Sequence, residues 1–122
     1  MKTADLVDMQ LDYFVAASIG LSVGFVKCKS RMKPCHWITV YDGDDDFPIP
    51  KYSTDWSAGG PIIEEHRILL QPSLDRPNVW LAQEKFGCGH FKYGSTALIA
   101  AMRCFVSTKL GDEVDLPFEF QL

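Results

Sequence analysis

An α+β fold follows from three observations. Both ends of the chain carry apolar residues at helical spacing, short β-branched and aromatic runs lie between them, and six of the seven prolines fall between residues 34 and 77. Helices at the two ends with short strands between them predict a small antiparallel sheet with an N-terminal and a C-terminal helix packed on it. No repeat or linker divides the sequence, so residues 1–122 read as a single globular domain.

The first helix is predicted from Asp5 or Asp8 to Ile19. Val7, Leu11, Phe14, Val15 and Ile19 make its apolar face, with Asp5, Asp8 and Asp12 as a solvated acidic stripe and Gly20 as the stop. Leu21 to Lys29 and His36 to Tyr41 read as two strands joined by a turn over Ser30 to Cys35. Asp42 to Ser53 is polar and proline-bearing and reads as a loop. Gly59-Gly60-Pro61 reads as a loop feeding a short helix over Ile62 to Arg67, because proline suits a first helical turn. Val79 to Gln83 is predicted as a strand, and the glycine-rich Phe86 to Gly94 as a loop. The clearest element runs from Ala97 to Leu110, capped by Ser95 or Thr96 and closed by Gly111. Its apolar face is Leu98, Ile99, Met102, Phe105, Val106 and Leu110. Asp112 to Pro117 then leaves in an extended conformation.

Twelve basic against sixteen acidic residues give a formal net charge of −4, which sets the balance against a nucleic-acid partner. The longest charge-free stretch, Tyr13 to Val26, is shorter than the roughly 20 apolar residues of a membrane span. The acidic N-terminus lacks the pattern of a signal peptide, so the four cysteines are expected as reduced thiols in a cytoplasmic protein.

Chemistry-bearing motifs are few. Cys28, Cys35, His36, Cys88 and His90 could supply zinc ligands, yet no Cys-x-x-Cys spacing is present and no metal is expected. Asp42 to Asp46 fails the EF-hand pattern, since its sixth and twelfth positions are Phe47 and Ser53. Lys27, Lys29, Arg31 and Lys33 form one basic stripe, which a charged hairpin edge explains as well as phosphate contact does. Neither a phosphate loop nor a dinucleotide glycine motif occurs, so no cofactor is expected.

Residues Ser53 to Pro61 differ in kind. Trp56 stands beside Gly59 and Gly60, with Asp55 as the segment's only charge and a helix start following. An aromatic face, bare backbone and a helix N-terminus suit a small anionic or nucleotide-like ligand, to which Arg67 and Arg103 could add guanidinium groups. The candidate ligand residues are therefore Asp55, Trp56, Gly59, Gly60, Arg67 and Arg103, with no catalytic residue. A core anchor, a helix cap and a tight turn account for Trp56, Asp55 and the glycines equally simply. On the last helix, Ala97, Ala101, Cys104 and Thr108 form a stripe of small residues suited to core packing, or secondarily to a homo-oligomer interface.

The strings STDWSAGGPIIEEHRILL and STALIAAMRCFVSTKLGDEVDLP, with the opening MKTADL, resemble the small NinX-type proteins of lambdoid and related enterobacterial phages. The resemblance implies a phage or prophage origin and a place in the host bacterial cytoplasm. It supplies no reaction and no catalytic residues, because the family is a domain of unknown function. The expected function is that of a non-enzymatic accessory protein binding a small anionic ligand or a host protein. Two alternatives remain: a small cysteine-dependent hydrolase or transferase using Cys88 and His90, and a protein-interaction module displaying the acidic or basic loops.

Overall fold

The computed structural model describes residues 1–27, 36–42, 45–84 and 91–117. After a 3₁₀ turn at Thr3–Asp5 the elements are α1 (Asp8–Ile19), β1 (Ser22–Lys27), β2 (His36–Asp42), β3 (Asp45–Pro48), α2 (Trp56–His66), β4 (Ile68–Pro72), β5 (Trp80–Glu84), β6 (Phe91–Gly94) and α3 (Ala97–Leu110). The class is α+β, with helices packed on antiparallel sheet. The described strands form two three-stranded meanders, ordered β1-β2-β3 and β4-β5-β6, where one sheet was expected.

Helix α1 ends where expected, with Gly20 in the left-handed region at φ 97°. Its buried side is Leu11, Phe14, Val15 and Ala16, together with Asp12, while Val7 and Ile19 are exposed. Asp12 therefore does not belong to a solvated stripe. It is only 4% exposed, and its Oδ1 accepts the Ser53 N–H at 2.8 Å. A carboxylate facing a neighbouring backbone amide can be buried because that donor replaces water.

The segment expected as a loop over Asp42 to Ser53 contains β3, which pairs with β2 in the register Thr39↔Pro48 to Asp42↔Asp45. Thr39 Oγ1 also donates to the Phe47 carbonyl at 3.1 Å. Pro48 ends the strand where the lost N–H is least costly. Two further strands are present: β4, where the sequence reading assigns no element, and β6, within the segment read as a loop. Both are short and pair on either side of β5, the strand that the sequence does announce.

Helix α3 is the centre of the molecule. It contacts β4, β5, β6, α1, α2 and the 3₁₀ turn. Leu98, Ala100, Ala101, Met102, Cys104, Phe105, Val106 and Ser107 are all buried, so it is covered on far more than one face. The expected Thr96 cap is present, its hydroxyl accepting the Ile99 N–H at 3.1 Å. Of the small-residue stripe, Ala101 and Cys104 pack inside this chain's own core. Leu110, expected on the apolar face, is exposed. The first residues and the segment after α3 are tied together: Lys2 pairs with Glu113, and Val114 N–H donates to the Met1 carbonyl at 2.9 Å.

Candidate functional site

Asp55 opens α2 as its N-cap, accepting the Ser57 N–H at 3.0 Å and the Ser57 hydroxyl at 2.8 Å. These hydrogen bonds hold its carboxyl below the ordinary 3.8, so it carries a full negative charge at neutral pH. Because the cap stands at Asp55, the helix begins at Trp56, five residues before Pro61. Gly59 and Gly60 are helical rather than a tight turn, and the Gly59 N–H is spent on the Asp55 carbonyl at 2.9 Å. Pro61 sits inside the helix and forgoes one backbone hydrogen bond there.

The need for Gly59 is steric. A Cβ at that position would stand 2.5 Å from the Tyr52 carbonyl oxygen and 2.7 Å from Leu98 Cδ2. Its absence lets α2 lie directly against the 51–54 turn and against α3. At Gly60 a Cβ would meet only Trp56 Cε3, at 3.9 Å.

Trp56 occupies the first position of α2 and is 56% exposed. It borders a cleft of about 200 Å³ lined by Ser53, Thr54, Thr96, Ala97, Leu98 and Ile99. The amino ends of α2 and α3 thus meet at one opening, whose described lining carries no basic side chain.

Neither arginine reaches this cleft. Arg67 closes the opposite end of α2 in the left-handed region at φ 53°, roughly 16 Å from Trp56 by the rise of the helix. It lines a separate cleft of about 550 Å³ with Ile68, Leu69, Gln83 and Glu84. Arg103 is committed to the fold. Its Nε donates to the Leu6 carbonyl at 2.9 Å and a terminal nitrogen donates to the Tyr93 carbonyl at 2.8 Å, and burial lowers its pKa. Of the six candidate residues, the structure groups Asp55, Trp56, Gly59 and Gly60 on the first turns of α2 and sets Arg67 and Arg103 elsewhere.

One contributor escaped sequence reasoning. Asp12 supports the cleft wall from behind through Ser53, and burial pushes its carboxyl up from the ordinary 3.8. The Ser53 hydroxyl lies against the same carboxylate, outside good hydrogen-bond geometry, and tempers that rise. Tyr52 beside it is raised too, by burial and then by the Asp12 charge. No local sequence signal marks this pairing, since the partners are 41 residues apart.

The remaining chemistry-bearing residues divide simply. Cys28, Cys35, Cys88 and His90 lie outside the described residues, as do the turn over Ser30 to Cys35 and most of the basic stripe. Cys104 is a buried thiol, pushed up to about 11 chiefly by burial, and is therefore a poor nucleophile at neutral pH. Among the described residues, no group of three His, Cys, Asp or Glu could hold a metal ion, and no helix is long and apolar enough to cross a membrane.

The family model described as Bacteriophage P22, NinX matches residues 2–109. The chain belongs to that family. The match spans every described element, from the 3₁₀ turn nearly to the end of α3, so the Trp56 cleft lies wholly within NinX-family sequence. A comparison with curated proteins finds no match.

Proposed function

We propose that this NinX-family member is a non-enzymatic phage accessory protein that binds a host polypeptide in the bacterial cytoplasm, with Trp56 as its anchor. One observation carries the reading: an indole left more than half exposed on a helix's first turn, at the edge of a cleft between two helix ends. Tryptophan is among the residues that dominate binding energy at protein interfaces. Its Nε1–H supplies one directional donor beside a broad apolar face.

Volume and charge favour a polypeptide over a free small anion. At about 200 Å³ the cleft falls below the roughly 300–1,000 Å³ typical of small-molecule pockets, but it suits one inserted side chain. The two helix ends contribute about half a positive charge each, and the ionised Asp55 offsets them. The guanidinium groups that an anion would need are held elsewhere.

Affinity capture from infected cells tests the proposal, with wild type and Trp56→Ala compared and released small molecules measured by mass spectrometry. The expected result is a host polypeptide that cross-links to residues 53–56 and 96–99. Trp56→Ala should lose it by about tenfold or more with unchanged circular dichroism. Equal retention by Trp56→Ala, or release of a small molecule with no polypeptide, overturns it.

A further inference from the structure

The larger of the two clefts lies at the far end of α2 from Trp56. Its volume of about 550 Å³ falls within the range of small-molecule sites, and it is lined by Arg67, Ile68, Leu69, Gln83 and Glu84. Ile68 stands opposite Glu84 and Leu69 opposite Gln83, so the cleft wraps the end of the β4–β5 ladder, where α2 gives way to β4.

Two side chains of opposite formal charge line it. Arg67 is exposed, and among the described residues its guanidinium forms no ion pair, with Glu84 or with any other. Its backbone is fixed, because the Arg67 N–H closes α2 on the Ile63 and Glu64 carbonyls at φ 53°, in the region that usually falls to glycine. Glu84 Oε1 is buried and meets no hydrogen-bond donor among the described residues. A buried acceptor without a donor is costly, and it marks a place where one is missing.

We propose that this cleft binds a free α-amino acid with an apolar side chain, its carboxylate on Arg67 and its ammonium on Glu84. The two charges select the occupant. A simple anion on Arg67 meets the Glu84 carboxylate, and a simple cation on Glu84 meets the guanidinium. A ligand carrying both charges satisfies both walls, and each wall rejects the singly charged competitor.

Hydrogen bonding assigns the two ends. A guanidinium only donates, in a fork that matches a carboxylate, and an ammonium only donates, which supplies what Glu84 Oε1 lacks. The Gln83 amide beside them can do either. The remaining wall selects the side chain. Leu69 is 50% exposed and, with Ile68 next to it, offers an aliphatic surface for the ligand to cover. None of the described lining residues is aromatic, so a nucleobase would find no stacking partner there.

Amide-shift titration of the isotope-labelled full chain with leucine, N-acetyl-leucine and leucinamide tests this, since the three differ in which charges they carry. Leucine is expected to saturate the site with a Kd at or below about 1 mM, shifting Ile68, Leu69, Gln83 and Glu84, and to bind at least tenfold more tightly than either blocked form. Arg67→Gln, at an exposed position, should weaken leucine at least tenfold with unchanged circular dichroism. Glu84→Gln should bring N-acetyl-leucine level with leucine or above it, a change of preference that loss of folding cannot produce. Trp56→Ala should leave leucine binding intact, which separates this cleft from the one proposed for the host polypeptide. No saturation by about 10 mM leucine, a blocked form that binds as well as leucine, or shifts confined to another surface overturns the proposal. So does wild-type affinity in Arg67→Gln, or a wild-type preference in Glu84→Gln.

Discussion

Asp12 is the residue at which sequence pattern and environment part most sharply. It lies three and four residues from the apolar Val15 and Ala16 and next to the buried Leu11, on a helix whose first-turn acid, Asp8, is exposed. Its burial in α1 is tolerated because the Ser53 N–H replaces a water molecule, but the exchange is incomplete, and desolvation raises its pKa. The sign of the consequence is fixed by linkage. A carboxyl whose folded pKa lies above its unfolded value costs stability once ionised. That cost is absent below the ordinary 3.8 and develops as pH rises through the folded value. Asp12→Asn keeps an acceptor for Ser53 and removes the charge. Urea denaturation should therefore show wild type losing stability relative to Asp12→Asn as pH rises from about 3.5 to 7. A constant difference across that range would mean that the carboxyl is not raised.

At the scale of elements, α2 is positioned by the absence of a side chain. Gly59→Ala places a methyl against the Tyr52 backbone and Leu98, and should destabilise by about 1–3 kcal/mol while displacing the helix from the 51–54 turn. Gly60→Ala, one position on, meets only ordinary contact and should stabilise by about 0.5–1 kcal/mol through helix propensity. Opposite signs at adjacent glycines, read from thermal or urea unfolding, would establish that Gly59 is kept for close approach. The sequence made α1 and α3 legible because each carries its own punctuation, a helical apolar repeat closed by Gly20 and Gly111. It left β3, β4 and β6 illegible because each is short and ends on a proline or glycine, Pro48, Pro72 or Gly94, and their pairing partners decide them. The two glycines of α2 imitated a turn, and only the Asp55 cap revealed the longer helix.

For the molecule as a whole, α3 and Arg103 hold the layers together. Through one side chain, α3 bonds the carbonyl of Leu6, beyond the 3₁₀ turn, and that of Tyr93 in β6. Arg103→Ala leaves both carbonyls without that donor and should cost about 2–4 kcal/mol in global unfolding. Arg103→Lys cannot reproduce the fork and should recover only part. A loss below about 0.5 kcal/mol for Arg103→Ala would show that water replaces the guanidinium freely. In the sequence Arg103 looked like a ligand-binding cation, because an arginine on an apolar helix has no visible partner there. Its partners are 97 and 10 residues away.

Sequence alone determined the α+β class, the end of α1, both limits of α3 and the membership of the NinX family. These are local properties, set by periodicity, caps and motif. Tertiary structure alone decided that the strands form two sheets, that Asp12 is buried, that Trp56 borders a cleft between two helix ends, and that Arg67 and Arg103 stand away from it. Each of these depends on which distant segment supplies a hydrogen-bond donor, an acceptor or a covering side chain, and no short window of the chain contains that partner.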